Sequence, residues 1–442
     1  VPSRALIAPL RTRAFRRLGA SYAVNELGDW MGIVALSVLV FDRTGSTLAT
    51  ALLFLGTSFL PAILAPILVA RAEIPPPRFT LPVLYCGEAA AFGALALLAS
   101  HFSLAAVVAL AAVDGALALA SRSLTRAVVA ALLEPTDQLR SGNALLNIAF
   151  TGGAALGPGL AGLVVAGFGV QVALLLDAIS FYAVAWILLT AGPLPRAEPE
   201  PGRMRERVRA GLAYIREKTL LRRLLVAQGA AFVFFAAVIP IEVVYAKQTL
   251  GAGDAGYGLM LGSWGAGMVL GSLVFATVRR ASLARLLLIS TLAIGAGYLG
   301  LAVAPTLALA CAASVLGGAG NGVQWVAVVS AVQELTTEAM QARVVSVLEA
   351  IGAAMPGVGF VLGGAVAAIA TPRATFLLAG LGVLAIVGLA APVLRGKWLG
   401  SGANPRSYKG SSELDGGTDV VLELIPGSTG GTSNRPDSEV QS

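Results

Sequence analysis

Four carboxylates interrupt stretches that are otherwise apolar: Glu26 and Asp29, Glu88, and Asp114, the last followed two helical turns later by Arg122. An ionisable side chain at membrane depth is costly unless paired or watered, so each is a functional candidate by default. Glu26 and Asp29 are three residues apart and share one side of a helix. Carboxylates suit proton exchange, because burial and a nearby arginine move their protonation across the working range. One reading is therefore that Asp29, Asp114, Glu88 or Glu26 exchanges a proton, with Arg122 as partner, as the protein alternates between two states. The competing reading is a fixed ion pair, Arg122 with Asp114 or Asp29, that only locks helices together. Asp177 and Glu349 read as structural, Asp177 capping or bracing its helix. Glu242 is expected at an interface, where Lys247 is placed to pair with it.

Uncharged polar groups fall in the same stretches: Asn25, Asn147, Asn321 and Gln324, with Trp325 and Trp264 as large flat surfaces. Such amides glue helices together and such aromatics anchor interfaces; alternatively they line a cavity for a bulky amphipathic organic molecule. Enzyme chemistry has little to work with. The one histidine, His101, lies in a turn, so metal triads and serine–histidine sites cannot be assembled. No Gly-x-x-x-x-Gly-Lys-[Ser/Thr] occurs, which removes ATP hydrolysis by a P-loop. The run Gly317-Gly318-Ala319-Gly320-Asn321-Gly322 has no following lysine and sits in an apolar span, so it reads as close helix packing. Cys86 and Cys311 are far apart inside apolar stretches and do not suggest a disulfide framework. No cofactor or metal is expected.

The elements that must position these residues are transmembrane helices. Of 442 residues, 57% are hydrophobic and 12% charged, and mean hydropathy is +0.81. A soluble globular chain carries about twice that charged fraction. Apolar stretches of about 20 residues recur, each long enough to cross a hydrocarbon core about 30 Å thick. Strand-like alternation is absent, so a β-barrel is not a serious competitor. The pattern predicts an all-α membrane protein with about twelve spans: 18–41, 47–70, 79–99, 103–126, 143–166, 171–191, 221–246, 255–277, 283–303, 306–330, 346–370 and 373–396.

A charged stretch between the sixth and seventh spans divides them into two sets of six. The expected organisation is a basic N-terminus (1–17), a first six-helix bundle (18–191), a central loop (192–220), a second bundle (221–396) and a disordered tail (397–442). The tail is rich in Gly, Ser, Thr, Asn and Pro and cannot bury enough apolar surface to fold. The basic start lacks a cleavable-signal pattern, so the first span is expected to stay as an anchor. Of 31 Lys and Arg, three lie in the tail (Arg406, Lys409, Arg435) and only Arg43, Lys247 and Arg373 fall on the side opposite the N-terminus. The net charge of +7 thus reflects topology rather than nucleic-acid binding, and it places both termini in the cytoplasm.

The two halves resemble each other. The fifth span contains Gly153, Gly157, Pro158 and Gly162 in a run of small residues; the eleventh repeats this around Pro356. Small residues let helices approach closely in lipid, and matched proline-bearing spans suit an internally repeated transporter. Two sets of six spans, the charged central loop and this fifth span together resemble the major facilitator superfamily. The narrower resemblance is to its macrolide-efflux and enterobactin-exporter branch. It is carried by Glu26-Leu27-Gly28-Asp29-Trp30-Met31 and Thr44-Gly45-Ser46, by Arg126-Ala127-Val128 and Leu139-Arg140-Ser141-Gly142-Asn143 leading into Gly157-Pro158, and by Leu176-Asp177-Ala178, Gln333 and Arg343-Val344.

That resemblance implies two pseudo-symmetric bundles around a central cavity. It implies alternating-access efflux of a small amphipathic compound (a drug, macrolide-like product or siderophore) by a monomer in the inner or plasma membrane, with protons as coupling ion. Alternatives are a lipid or lysophospholipid transporter of the same fold, or a transport-dead sensor or assembly protein. The superfamily's loop after the second span usually reads Gly-x-x-x-Asp-Arg. Here Pro66-Ile67-Leu68-Val69-Ala70-Arg71 keeps only Arg71, and Ala342 precedes Arg343 where glycine is usual.

Overall fold

A chain in hydrocarbon must satisfy its backbone internally, which an α-helix does within one segment. In a computed structural model, residues 7–63, 68, 75–190, 192–196, 204–278 and 281–394 are described, and every regular element among them is helical. Ten helices are long and apolar enough to cross a membrane, and two shorter apolar helices, Thr47–Ile63 and Pro372–Gly388, complete the expected set of spans. The first bundle comprises α1 (Arg13–Thr44), α2 (Thr47–Phe54, continued by a π-turn, Leu55–Phe59), α3 (Pro77–Leu98), α4 (Leu104–Leu133), α5 (Leu139–Phe168) and α6 (Val170–Leu189). A linker helix, Met204–Glu217, leads to the second bundle. This comprises α7 (Thr219–Val238, carried by tight turns to Thr249), α8 (Gly253–Thr277), α9 (Leu283–Val303), α10 (Leu307–Glu334), α11 (Glu338–Ile369) and α12 (Pro372–Leu394). Arg71 and the segment from 397 onward lie outside the described residues.

Several helices outrun their apolar stretches at the arginine-rich end. The fourth continues to Leu133 and the eleventh begins at Glu338, because Ala, Leu, Arg and Gln favour helix whether or not lipid surrounds them. At the opposite end the turns are sharply punctuated. Gly45 takes φ +60° to close α1, and the Ser46 hydroxyl accepts from the Ala49 N–H to start α2.

Packing repeats between the halves. In the first bundle α1 packs on α5 and α6, and α3 on α4 and α6; in the second, α7 packs on α11 and α12, and α9 on α10 and α12. The halves join through α5 with α8 and α2 with α11. The small residues of α5 and α11 explain both sets of crossings. Gly153 and Gly157 lie against Glu26, Leu27 and Trp30 of α1, while the Pro158 carbonyl and Gly162 lie against Gly258 and the Asp254 backbone of α8. In α11, Gly359 and Gly363 lie against the backbone of Val233 and Ala237 on α7, while Gly357 and Gly364 receive Phe59 and Ala51 of α2. Each of these two helices therefore holds its own bundle with a glycine pair; α11 meets the opposite bundle with a second pair, and α5 with Gly162 and the Pro158 carbonyl. Pro158 and Pro356 lie inside helices that continue past them.

A side chain at such a crossing must push two backbones apart. Gly157→Val is expected to cost about 1–3 kcal/mol through overpacking, read as a lower melting temperature of the detergent-solubilised protein. Gly152→Ala, where an added methyl group meets nothing within 4 Å, should leave that temperature unchanged or slightly raised. Equal effects from both substitutions would refute the crossing assignment.

Candidate functional site

The core of the first bundle holds its charges together. Glu26 and Asp29 come from α1, Glu88 from α3, Asp114 and Arg122 from α4, and Asp177 from α6. Glu26, Glu88 and Asp177 are at most 2% exposed. Of the two pairings open to Arg122, the one formed is with Asp29, Nη2 to Oδ2 at 3.5 Å, and Asn25 donates its Nδ2 to the same oxygen at 3.1 Å. Asp114 lies within electrostatic reach of Asp29, Asp177 and Arg122, and Glu88 within reach of Asp29, Asp114 and Arg122. Arg126 donates to the Tyr22 hydroxyl at 3.4 Å and also faces Glu26.

Asp177 belongs to this cluster, although the sequence marks it only as a brace for its own helix. Gly28 and Gly32 clear the face of α1 on which it lies, and a methyl group on either would strike its carboxylate. That glycine pair, spaced by four and flanking Asp29, is the signal that points to an incoming group. Both carboxylate oxygens of Glu26 and of Glu88, Oδ1 of Asp114 and Oδ2 of Asp177 are buried without a hydrogen-bond partner among the described residues. Five carboxylates thus face two arginines. An unpaired ion in such a core is strongly unfavourable. Among the described residues no three carboxylate, cysteine or histidine side chains converge to hold a metal ion.

The uncharged candidates divide. Asn25 is fully buried beside Asp29, and Asn147 is exposed on α5, its carbonyl accepting from the Thr151 hydroxyl. Asn321, Gln324 and Trp325 come together on α10, lining a cavity of about 120 Å³ with Gln228, Phe232 and Phe235 of α7. Gln324 donates to the Thr291 hydroxyl of α9 at 3.1 Å. The glycine run of α10 is packing surface: Trp264 of α8 lies on Gly317 and Gly318 and stacks on Tyr298 at 5.3 Å.

At the arginine-poor end the halves are tied by charge. Lys247 does not pair with Glu242, as expected from sequence. Its Nζ contacts Asp42 of α1 at 2.5 Å and Asp254 of α8 at 2.6 Å. The π-turn Tyr245–Thr249 carries Lys247 towards the other bundle, while Glu242 lies within reach of Tyr257 and Tyr298. At the same end, on the other side of the junction, the Thr47 hydroxyl donates to the Gly364 carbonyl at 3.3 Å. Arg43 and Arg373 close helix ends, donating to the carbonyls of Ala99 and of Ala302 and Ala304. At the opposite end the Arg343 side chain is exposed and contacts the Met340 sulfur, while its backbone receives Gly211 of the linker helix.

Twelve helices in two repeated bundles, with ionisable groups gathered at membrane depth, define a major facilitator transporter. Residues 4–398 match the family described as transmembrane secretion effector, and the chain belongs to that family. It is a multi-pass membrane transporter, not an enzyme. Compared by sequence with curated proteins, it has no significant match. Among solved structures it is similar to the nucleoside transporter NupG, with TM-score 0.68 and 12% identity over 87% of this chain and 100% of that one. It is also similar to a peptide transporter POT, with TM-score 0.68 and 13% identity over 87% and 95%. A bacterial homolog of the lysosomal transporter Spinster gives TM-score 0.61 and 14% identity over 87% and 95%. At these identities the likeness speaks for the fold alone.

A partly exposed ion pair contributes at most about 1 kcal/mol, so the Lys247 triad biases the closed end without fixing it. Lys247→Met is expected to raise the thiol-labelling rate of a Thr47→Cys variant by about fivefold, the change such an energy allows. An unchanged rate would remove Lys247 from the contact that holds the halves together.

Proposed function

We propose that the protein exports a small amphipathic organic compound (a drug, a macrolide-like product or a siderophore) in exchange for protons, as a monomer working by alternating access. The observation that carries this reading is the surplus of buried carboxylates over arginines around Asp29, Glu88 and Asp114. Asp29 holds Arg122 and Asn25. Protonating it releases Arg122, which then has Glu26, Glu88 and Asp114 as alternative partners within reach. A proton arriving at the cluster is thereby converted into a change of partner between α1 and α4.

The arginine-rich end is assigned to the cytoplasm by the positive-inside rule. The close contacts between bundles run from the arginine-poor end to mid-depth, through Asp254, Gly258 and Gly162 on one side and Thr47, Gly364, Phe59 and Gly357 on the other. With that orientation the state is closed to the outside, and a compound reaches the cleft from the cytoplasm. Trp325, 46% exposed, with Asn321 and Gln324, offers it a flat apolar surface edged by amides. The membrane is the cell membrane, and both termini lie on its cytoplasmic side.

The test is proton-driven transport in inverted vesicles with a panel of lipophilic drugs, comparing the intact protein with Asp29→Asn and Asp114→Asn. Substrate-linked proton movement is expected for the intact protein and should fall at least tenfold in one or both variants, with the protein still folded by size-exclusion chromatography. Undiminished coupling in both variants would overturn the role of the cluster. No movement with any compound would overturn the export reading.

A further inference from the structure

The place in the second bundle that corresponds to the carboxylate cluster is hollow. Where α7, α9, α10 and α12 meet near the arginine-rich end lies a cavity of about 550 Å³, within the roughly 300–1,000 Å³ of small-molecule sites. Its walls are apolar, with Leu224, Leu287, Val328 and Ile386 among them, and Gln228, Thr291 and Gln324 supply its polar lining. Among the described residues no carboxylate lines it. Arg222 and Arg223 do, both exposed. Arg222 is steadied by donating to the Arg216 carbonyl at the end of the linker helix, at 3.0 Å. Arg223 has no acidic partner among the described residues. Val226, on the same wall, is 68% exposed.

We propose that this cavity binds an anionic phospholipid from the leaflet at the arginine-rich end, with one acyl chain between α7, α9, α10 and α12 and the phosphate at Arg222 and Arg223. Guanidinium groups favour phosphate oxygens through paired charge-assisted hydrogen bonds. Basic residues where a membrane helix begins draw anionic lipid to themselves. A soluble anion would leave the apolar walls empty, and a zwitterionic lipid would gain less from the two arginines. The site is separate from the proton-exchanging cluster and stands whether or not that cluster drives export.

Native mass spectrometry of the full-length protein tests this, with phosphatidylglycerol and phosphatidylcholine of identical chains added in competition. The expected result is retention of phosphatidylglycerol at least tenfold over phosphatidylcholine. Arg222→Gln with Arg223→Gln should cut that retention at least fivefold, and Ala227→Trp, which fills the cavity and keeps both arginines, should abolish it. The arginine pair is exposed, so its replacement tests the headgroup contact even where the tryptophan variant fails to fold. Equal retention of the two lipids would overturn the proposal, as would full retention in folded Ala227→Trp. Displacement by millimolar glycerol phosphate would also overturn it, showing a site for a free phosphate rather than a lipid.

Discussion

A charge placed in a hydrocarbon layer has to find its counter-charge within the protein, and there is little freedom in how. Asp29 and Arg122 meet that demand at 3.5 Å across the α1–α4 interface. Glu26, Glu88, Asp114 and Asp177 are packed around them with too few cations to go round. The cluster is consequently sensitive to anything that adds or removes a positive charge. Helix positions in the first bundle follow from it: Gly28 and Gly32 leave room for Asp177, and Gly115, beside Asp114, leaves room for the Thr57 backbone in the π-turn of α2.

The same helices carry the cluster's geometry to the junction between bundles. Along α1 are Glu26 and Asp29 and, at its far end, Asp42 in the Lys247 triad. Glu26 lies on Gly153 of α5, and a few residues on, Gly162 of α5 lies on the Asp254 backbone, whose carboxylate also holds Lys247. A shift of α1 against α4 would therefore be felt at α5 and at the triad through packed contacts. Close-packed interfaces of this kind rearrange between discrete states rather than deform smoothly. The tie at the triad is weak enough to release, because a partly exposed ion pair contributes at most about 1 kcal/mol.

How much of this can be read in the sequence depends on the range of the interaction. The twelve spans follow from local hydropathy, and the paired roles of α5 and α11 follow from their small residues, since a glycine spaced by four marks a crossing before its partner is known. The Asp29–Arg122 pair is one of two that the sequence allows, and only the packing of α1 on α4 selects it. Lys247 is harder. Glu242 is its neighbour in sequence, whereas its actual partners come from α1 and α8 and meet it only because a π-turn rotates the end of α7. The cavity beside Gln324 is hidden in another way, being set by where side chains stop rather than by which ones are present.

The two bundles are alike in how their helices cross and unlike in what their cores contain. In the first, α1, α3, α4 and α6 surround carboxylates and arginine; in the second, α7, α9, α10 and α12 surround a hollow edged by amides. The glycine faces of α5 and α11 give the two bundles matched crossing surfaces, and these do not require matched interiors. Neutralising the cluster changes the energy of the first bundle's interior, while the hollow of the second remains suited to apolar matter. A transporter built this way needs only a junction that both bundles share.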